Sequence, residues 1–531
     1  MRIEVLDTTL RDGSQGEGVH LSLGDKFAIA ETLCELGIPL IEAGNPASNP
    51  KDAAFFAEAA QCPGLFGRLV AFGSTRKRER TADEDPGLSA LIAAGTPTVT
   101  LFGKCWDFQV RAVLGAEPEE NLAMIADSVA RLKAAGRRVI FDAEHFFDGW
   151  KADPGYALAC LKTAAQAGAD LCCLCDTNGG SFPEEIAAGV RAARKALPDL
   201  PLGVHCHNDM GMAEACSLAG LEAGAVQVQG TFLGFGERCG NCNLSALIPS
   251  LQLKKGWELI PPEGLRAWTP AARRVADILN FSLPSSLPYV GRSAFAHKGG
   301  MHADAVLKDP ATFEQVSPEA VGNSRRFLIS EVSGRGMLAE KIGRFFPELT
   351  KDNRQTARIL ARLKELEQEG YQFESAEAGL VLAVMRALKE YAPCFELVRY
   401  QTVNEQPAVE GVPSSALVKI RVNGQTRLCC GEGNGPVNAL DKALREALTA
   451  FYPSVKEMSL TDYKVRVLTP QAATAAVVRV LITSTDGRSE WSTVGVSSHV
   501  IDASFKDLSD SIEYKILILD KQGDCTKQSP R

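Results

Sequence analysis

His205-Cys206-His207 places two imidazoles two residues apart, directly after the apolar run Leu202-Gly203-Val204. On an extended strand alternate side chains share a face, so both rings point the same way and can reach one metal ion. The chain holds only seven histidines, so a pair on one strand face is a pointed use of them. A guanidinium and a carboxylate, Arg11 and Asp12, stand where the first apolar run ends, in Leu6-Asp7-Thr8-Thr9-Leu10-Arg11-Asp12-Gly13. Together these residues describe a metal site that handles a small anionic substrate.

A divalent ion held by Asp12, His205, His207 and Asn241 has mixed nitrogen and oxygen ligands and open positions. That set suits Mn, Mg, Co or Zn rather than a closed structural zinc. A 2-oxo acid fills open positions through its carbonyl and carboxylate oxygens. Arg11 then neutralises charge on the carbonyl oxygen without losing its own proton. The H-x-H pair alone also fits a merely polar strand end. The carboxylate after the first strand and the amide after the eighth favour the metal. His302 is a candidate general base with Glu144 to orient it; a satisfied loop histidine is the alternative. It lies outside the first half of the chain, so it has to fold back over this site or over a partner's.

Cys239-Gly240-Asn241-Cys242 contains C-x-x-C, but no second such pair exists to complete a zinc ribbon. It reads as buried thiols around a functional Asn241. Cys172-Cys173-Leu174-Cys175 reads as strand packing, because free cysteine behaves as a small hydrophobe. Gly431–Pro436 lacks the Lys and Ser/Thr of a phosphate loop and leaves a tight turn or a small-effector contact.

The elements that have to position these groups alternate strand and helix through the first half. Expected strands are Ile3–Asp7, Leu40–Ala43, Leu69–Gly73, Val99–Phe102, Val139–Ala143, Leu171–Asp176, Leu202–His207 and Ala225–Gly230. Helical stretches lie between them, several ending at a glycine such as Gly136 or Gly168. Eight such units predict an α/β fold with a (β/α)8 TIM barrel over 1–280. A doubly wound sheet would more often carry a G-x-G-x-x-G turn after its first strand, and none is there. In a barrel the chemistry gathers after strand C-termini. Arg11, Asp12, Glu42, Asn45, Lys104, Glu144, His145, Asp176, Thr177, His205, His207, Glu237 and Asn241 all fall there.

Residues 281–394 form a connector with two amphipathic helices, Asp352–Glu369 and Ala376–Tyr391. From 395 to 531 an α+β module is expected: strands Ala416–Val422, Ala475–Thr483, Ser492–Ser498 and Ile512–Ile518 around one helix, Val437–Ala450. A net charge of −8 argues against nucleic acid or an acidic membrane as partner. The start of the chain leads straight into a strand rather than a signal peptide, and no apolar run reaches the roughly 18 residues of a membrane span. Fifteen scattered cysteines fit reduced thiols in a cytoplasm.

With those residues in place, the chain resembles the Claisen-condensing acyl-CoA synthases of the 2-isopropylmalate, homocitrate and citramalate group. The matching pieces are Asp7–Gln15, His205–Asp209, Gly236–Asn241, Ala294–Asp304 and the turn and helix from Gly433, the last similar to the group's regulatory domain. The loops Ile41–Asp52 and Leu101–Phe108 are similar to those of the long-form (R)-citramalate synthases. The resemblance implies an acyltransferase that condenses acetyl-CoA with pyruvate and water to give (R)-citramalate and CoA, toward isoleucine. It implies metal ligation by Asp12, His205, His207 and Asn241, and binding of the 2-oxo acid by Arg11 and Thr177. Asn45 and Lys104 are further substrate-binding candidates, and Glu144 with His302 is implied for deprotonating the acetyl methyl. A homodimer and an isoleucine effector are also implied. Synthesis of 2-isopropylmalate or homocitrate, C–C lyase chemistry, and a non-catalytic amino-acid sensor are the alternatives.

Overall fold

A computed structural model describes residues 1–328, 335–343, 345–388, 391–409 and 412–521. Eight parallel strands close on themselves in sequence order: β1 (Glu4–Asp7), β2 (Leu40–Gly44), β3 (Leu69–Ser74), β4 (Thr98–Lys104), β5 (Arg138–Glu144), β6 (Leu171–Asp176), β7 (Leu202–Cys206) and β8 (Gln227–Gly230). Closure is made by β1 against β8, with Leu6 opposite Gln229 and Asp7 opposite Gly230. Each expected strand is present to within a few residues at either end. The helices between them begin with strong local signals. Ser22 and Asp25 form a reciprocal capping box, and Pro50, Pro86, Pro118, Pro154 and Pro183 occupy first turns where a missing N–H costs nothing.

Strand alternation splits the apolar residues into two cores. Leu6, Leu40, Val70, Ile140, Leu171, Cys173 and Cys175 point inward and fill the barrel. The opposite set, including Val5, Ile41, Phe141, Cys172, Leu174 and Val204, packs against the surrounding helices. At the N-terminal end of the strands Arg138 forks onto Glu4 at 2.8 and 2.7 Å, and Gln227 donates to the same carboxylate at 2.7 Å. At the other end, helix Trp268–Ile278 secures the loop after β8: Trp268 Nε1 donates to the Ser245 carbonyl at 2.9 Å, and its ring meets Phe232 edge-on at 5.0 Å.

The chain divides into two compact units. The first is Met1–Phe295 with Glu314–Arg325; the second is Ala296–Phe313 with the described residues from Arg326 onward. In the second, Ala296–His297 pairs in parallel with Arg326–Phe327. Helices Arg354–Gln368 and Glu377–Leu388 match the two expected amphipathic segments; residues 389 and 390 of the latter lie outside the described residues. The C-terminal module is a βββα unit repeated twice, its last residues, 522–531, again outside the described residues. Strands Glu396–Val409, Val412–Val422 and Gln425–Gly433 carry helix Pro436–Thr449; strands Ser459–Val467, Val478–Thr485 and Glu490–Ser497 carry helix Val500–Tyr514.

That second helix corrects two expectations. Among the described residues the module has two long helices rather than one, and Ile512–Ile518 is not a strand: it closes helix Val500–Tyr514 and continues as a wide turn over Lys515–Leu519. Phe505, Leu508 and Ile512 recur at helical spacing and are buried on one face, and the terminal apolar run extends that face. A short apolar run viewed alone does not distinguish helix from strand.

Trp268→Ala removes a fully buried indole and its hydrogen bond. We expect it to lower barrel stability by about 3–5 kcal/mol, measured as a downward shift in the urea midpoint of tryptophan-independent far-UV CD.

Candidate metal and substrate site

The C-terminal ends of the strands bring Arg11, Asp12, His205, His207, Thr177 and Glu144 around one cavity of about 240 Å³, together with Gln15, Phe72, Phe102, Asp142 and Arg238. Asp12 Oδ2 lies 3.3 Å from His205 Nε2 and 4.0 Å from His207 Nε2. Asn241 Oδ1 faces His205 Nε2 at 3.0 Å. Asn241 is delivered by a tight loop in which Gly236 takes φ +154°; a side chain there would collide with the Asn241 amide, so only glycine fits.

The surrounding hydrogen bonds fix which atoms face inward. Gln229 Nε2 donates to Asp142 Oδ1 at 2.9 Å, which turns Gln229 Oε1 toward His205 Nδ1 at 2.9 Å. His205 therefore carries its proton on Nδ1, and Nε2 presents a lone pair. Asn241 Nδ2 donates to the Phe235 carbonyl at 3.1 Å, which commits Oδ1 to the same point. Asp12 adds a carboxylate oxygen. Three acceptors thus converge with no donor among them unless the imidazole takes a second proton. A divalent cation replaces that proton, and the donor set fits one.

Charge supports this arrangement. Burial works to raise the Asp12 carboxyl, yet the adjoining Arg11 guanidinium holds it well below the usual carboxylate range. Burial brings His207 down to about 4, so its ring is neutral at pH 7, the form that ligates metals. Arg11 is stacked on Phe72 at 3.9 Å, donates from Nε to Glu42 at 2.5 Å and contacts Asp12 at 3.1 Å. Its fork is thereby fixed in plane while it lines the cavity. Burial, with the neighbouring Glu42 charge, pushes the Asp142 carboxyl up to about 7.

Thr177 Oγ1 accepts from the His145 amide at 2.8 Å, which leaves its hydroxyl hydrogen to donate into the cavity. Glu144 pairs with Lys104 at 2.7 Å, so Lys104 meets the cavity through Glu144. Asn45 turns into its own loop, accepting from the Ala47 amide at 3.0 Å, and is not among the lining residues. His302 belongs to the second unit, where its exposed ring stacks on Phe313 at 4.1 Å. The C-x-x-C reading needs correction at one position: Cys242 is buried, but Cys239 is exposed, because the turn carrying it projects outward with Arg238 at φ 55°. Cys172, Cys173 and Cys175 are all buried, as expected. Gln229 and Asp142 escaped the sequence reading. Their signal was a polar residue breaking an apolar strand at an inward position, as in Val139-Ile140-Phe141-Asp142-Ala143.

Residues 2–264 match the family model described as HMGL-like, 289–371 match homocitrate synthase post-HMGL domain-like, and 374–516 match LeuA allosteric (dimerisation) domain. The chain is 48% identical over 523 residues to an (R)-citramalate synthase from Aquifex aeolicus, covering 98% of this chain and 99% of that protein. It is 48% identical over 526 residues to one from Synechocystis sp. (97% and 96%) and 47% identical over 515 residues to one from Geobacter sulfurreducens (97% of each).

Gln229→Leu removes the acceptor that fixes the His205 tautomer. We expect divalent-ion affinity to fall about 10- to 100-fold, read by competition with a chromogenic chelator, with the far-UV spectrum unchanged.

Proposed function

Because the chain belongs to the (R)-citramalate synthase family, built on an HMGL-like barrel, we propose that it condenses acetyl-CoA with pyruvate and water to give (R)-citramalate and CoA. The observation that carries the reading is the convergence of Asp12, His205 and Asn241 acceptors beside an Arg11 fork held in a cavity sized for a small 2-oxo acid.

Asp12, His205, His207 and Asn241 would hold the divalent ion, which supplies Lewis acidity to the pyruvate carbonyl when bound. Mn, Mg, Co and Zn all suit the mixed donor set. Arg11 hydrogen-bonds the carbonyl oxygen and stabilises the alkoxide that forms on it. Because Glu42 and Phe72 hold the guanidinium in place beforehand, little reorganisation is needed as charge develops. Thr177 donates its hydroxyl to the pyruvate carboxylate. Glu144 lies beside the cavity with Lys104 orienting it, and is assigned with His302 the removal of a proton from the acetyl methyl; the His302 assignment rests on the resemblance of Ala294–Asp304. The resulting enolate attacks the pyruvate ketone, and water then cleaves the citramalyl thioester.

The LeuA-type module supports a homodimer, and isoleucine, the remote product of such a reaction, is proposed as its effector. No helix among the described residues is long and apolar enough to cross a membrane, and no cysteine among them is in a disulfide. A cytoplasmic setting accords with both.

Thiol release from acetyl-CoA with a panel of 2-oxo acids tests the reading. Pyruvate should give the highest kcat/KM; release driven instead by 2-oxoisovalerate or 2-oxoglutarate would move the chain to isopropylmalate or homocitrate synthesis. Arg11→Lys should cost about 100-fold or more in kcat, with ion binding by equilibrium dialysis retained, since one ammonium cannot pair with Glu42 and grip the alkoxide together.

A further inference from the structure

The inward face of β6 carries Leu171, Cys173 and Cys175, two thiols where barrel interiors mostly use branched hydrophobes. Asp142, on β5, lies directly opposite Cys173 in the parallel register. One Asp142 carboxylate oxygen and both Sγ atoms lie within 4.8 Å of one another. One Asp142 oxygen is taken by Gln229, which leaves the other for a second partner. Asp142 and Cys175 both line the cavity described above, so an ion reaching Asp12 and the histidines also reaches them.

We propose that Asp142, Cys173 and Cys175 form a second metal site, selective for a thiophilic divalent cation of the zinc and cadmium class, next to the mixed nitrogen and oxygen centre. Two sulfurs and one oxygen supply three corners of a tetrahedron, and the cavity supplies the fourth. Soft sulfur donors discriminate against Mg and Mn, which the neighbouring centre accepts. Burial keeps the Cys173 thiol well above its ordinary pKa; the Cys173 contact works to lower the Cys175 thiol, yet burial lifts it to about 11, so both sulfurs arrive protonated. Each S–H bond breaks as a sulfur–metal bond forms, and the two protons leave through the cavity to solvent. Occupancy is inhibitory. The ion stands in the space for the 2-oxo acid and recruits the carboxylate that orients Gln229 against His205.

The test uses the full-length protein loaded with Mg, its accessible thiols capped by brief alkylation, and Cd as probe. We expect near-ultraviolet thiolate-to-cadmium charge-transfer absorbance saturating at one ion per chain, with CoA release falling in parallel. The band should be lost in Cys173→Ser/Cys175→Ser. Cys175→Ala, the milder change, should weaken it if the double variant does not fold. No band in the native protein, or an undiminished band in a folded variant, overturns the proposal. The absorbance arm is independent of the condensation reading, which only the CoA-release arm needs.

Discussion

Everything at the mouth of this barrel follows from one electrostatic problem. Asp12 Oδ2 and Asn241 Oδ1 both face the His205 Nε2 lone pair, and His205 and Asn241 are locked in that orientation from behind. Acceptors at hydrogen-bond distance repel unless something positive stands between them. The fold maintains that frustration through Gln229, Asp142 and the Phe235 carbonyl. The preference for a cation is therefore a property of the backbone and strand register that place those groups.

The guanidinium of Arg11 belongs to the same balance. Asp12, Glu42 and Asp142 are all buried near it, and burial pushes the Asp142 carboxyl up to about 7. One fixed positive charge among several carboxyls makes the interior a net sink for a divalent ion and its anionic ligand taken together, whereas an anion alone would be repelled. Phe72 beneath the guanidinium keeps water from one face, so its charge is screened less than at a surface.

Much of this was legible in the sequence. Strand ends were clear because apolar runs of four to seven residues alternated with capped helices, and Asp12, His205 and His207 stood out because metal chemistry demands those types at those spacings. The supporting residues were not. Gln229 acts only through neighbours that sit 24 and 87 positions away from it, and that link to Asp142 is created by barrel closure rather than by local spacing. Helix Val500–Tyr514 was missed because its apolar face merges with the run that follows, and the exposed strand Ser459–Val467 because its side chains lack a clean buried alternation.

The Glu4–Arg138–Gln227 cluster and the inward layer of Leu6, Leu40, Val70 and Ile140 leave the barrel without a through-passage. The barrel is a cul-de-sac. Whatever reaches Arg11 therefore enters and leaves by the same mouth, the one ringed by the strands' C-terminal ends.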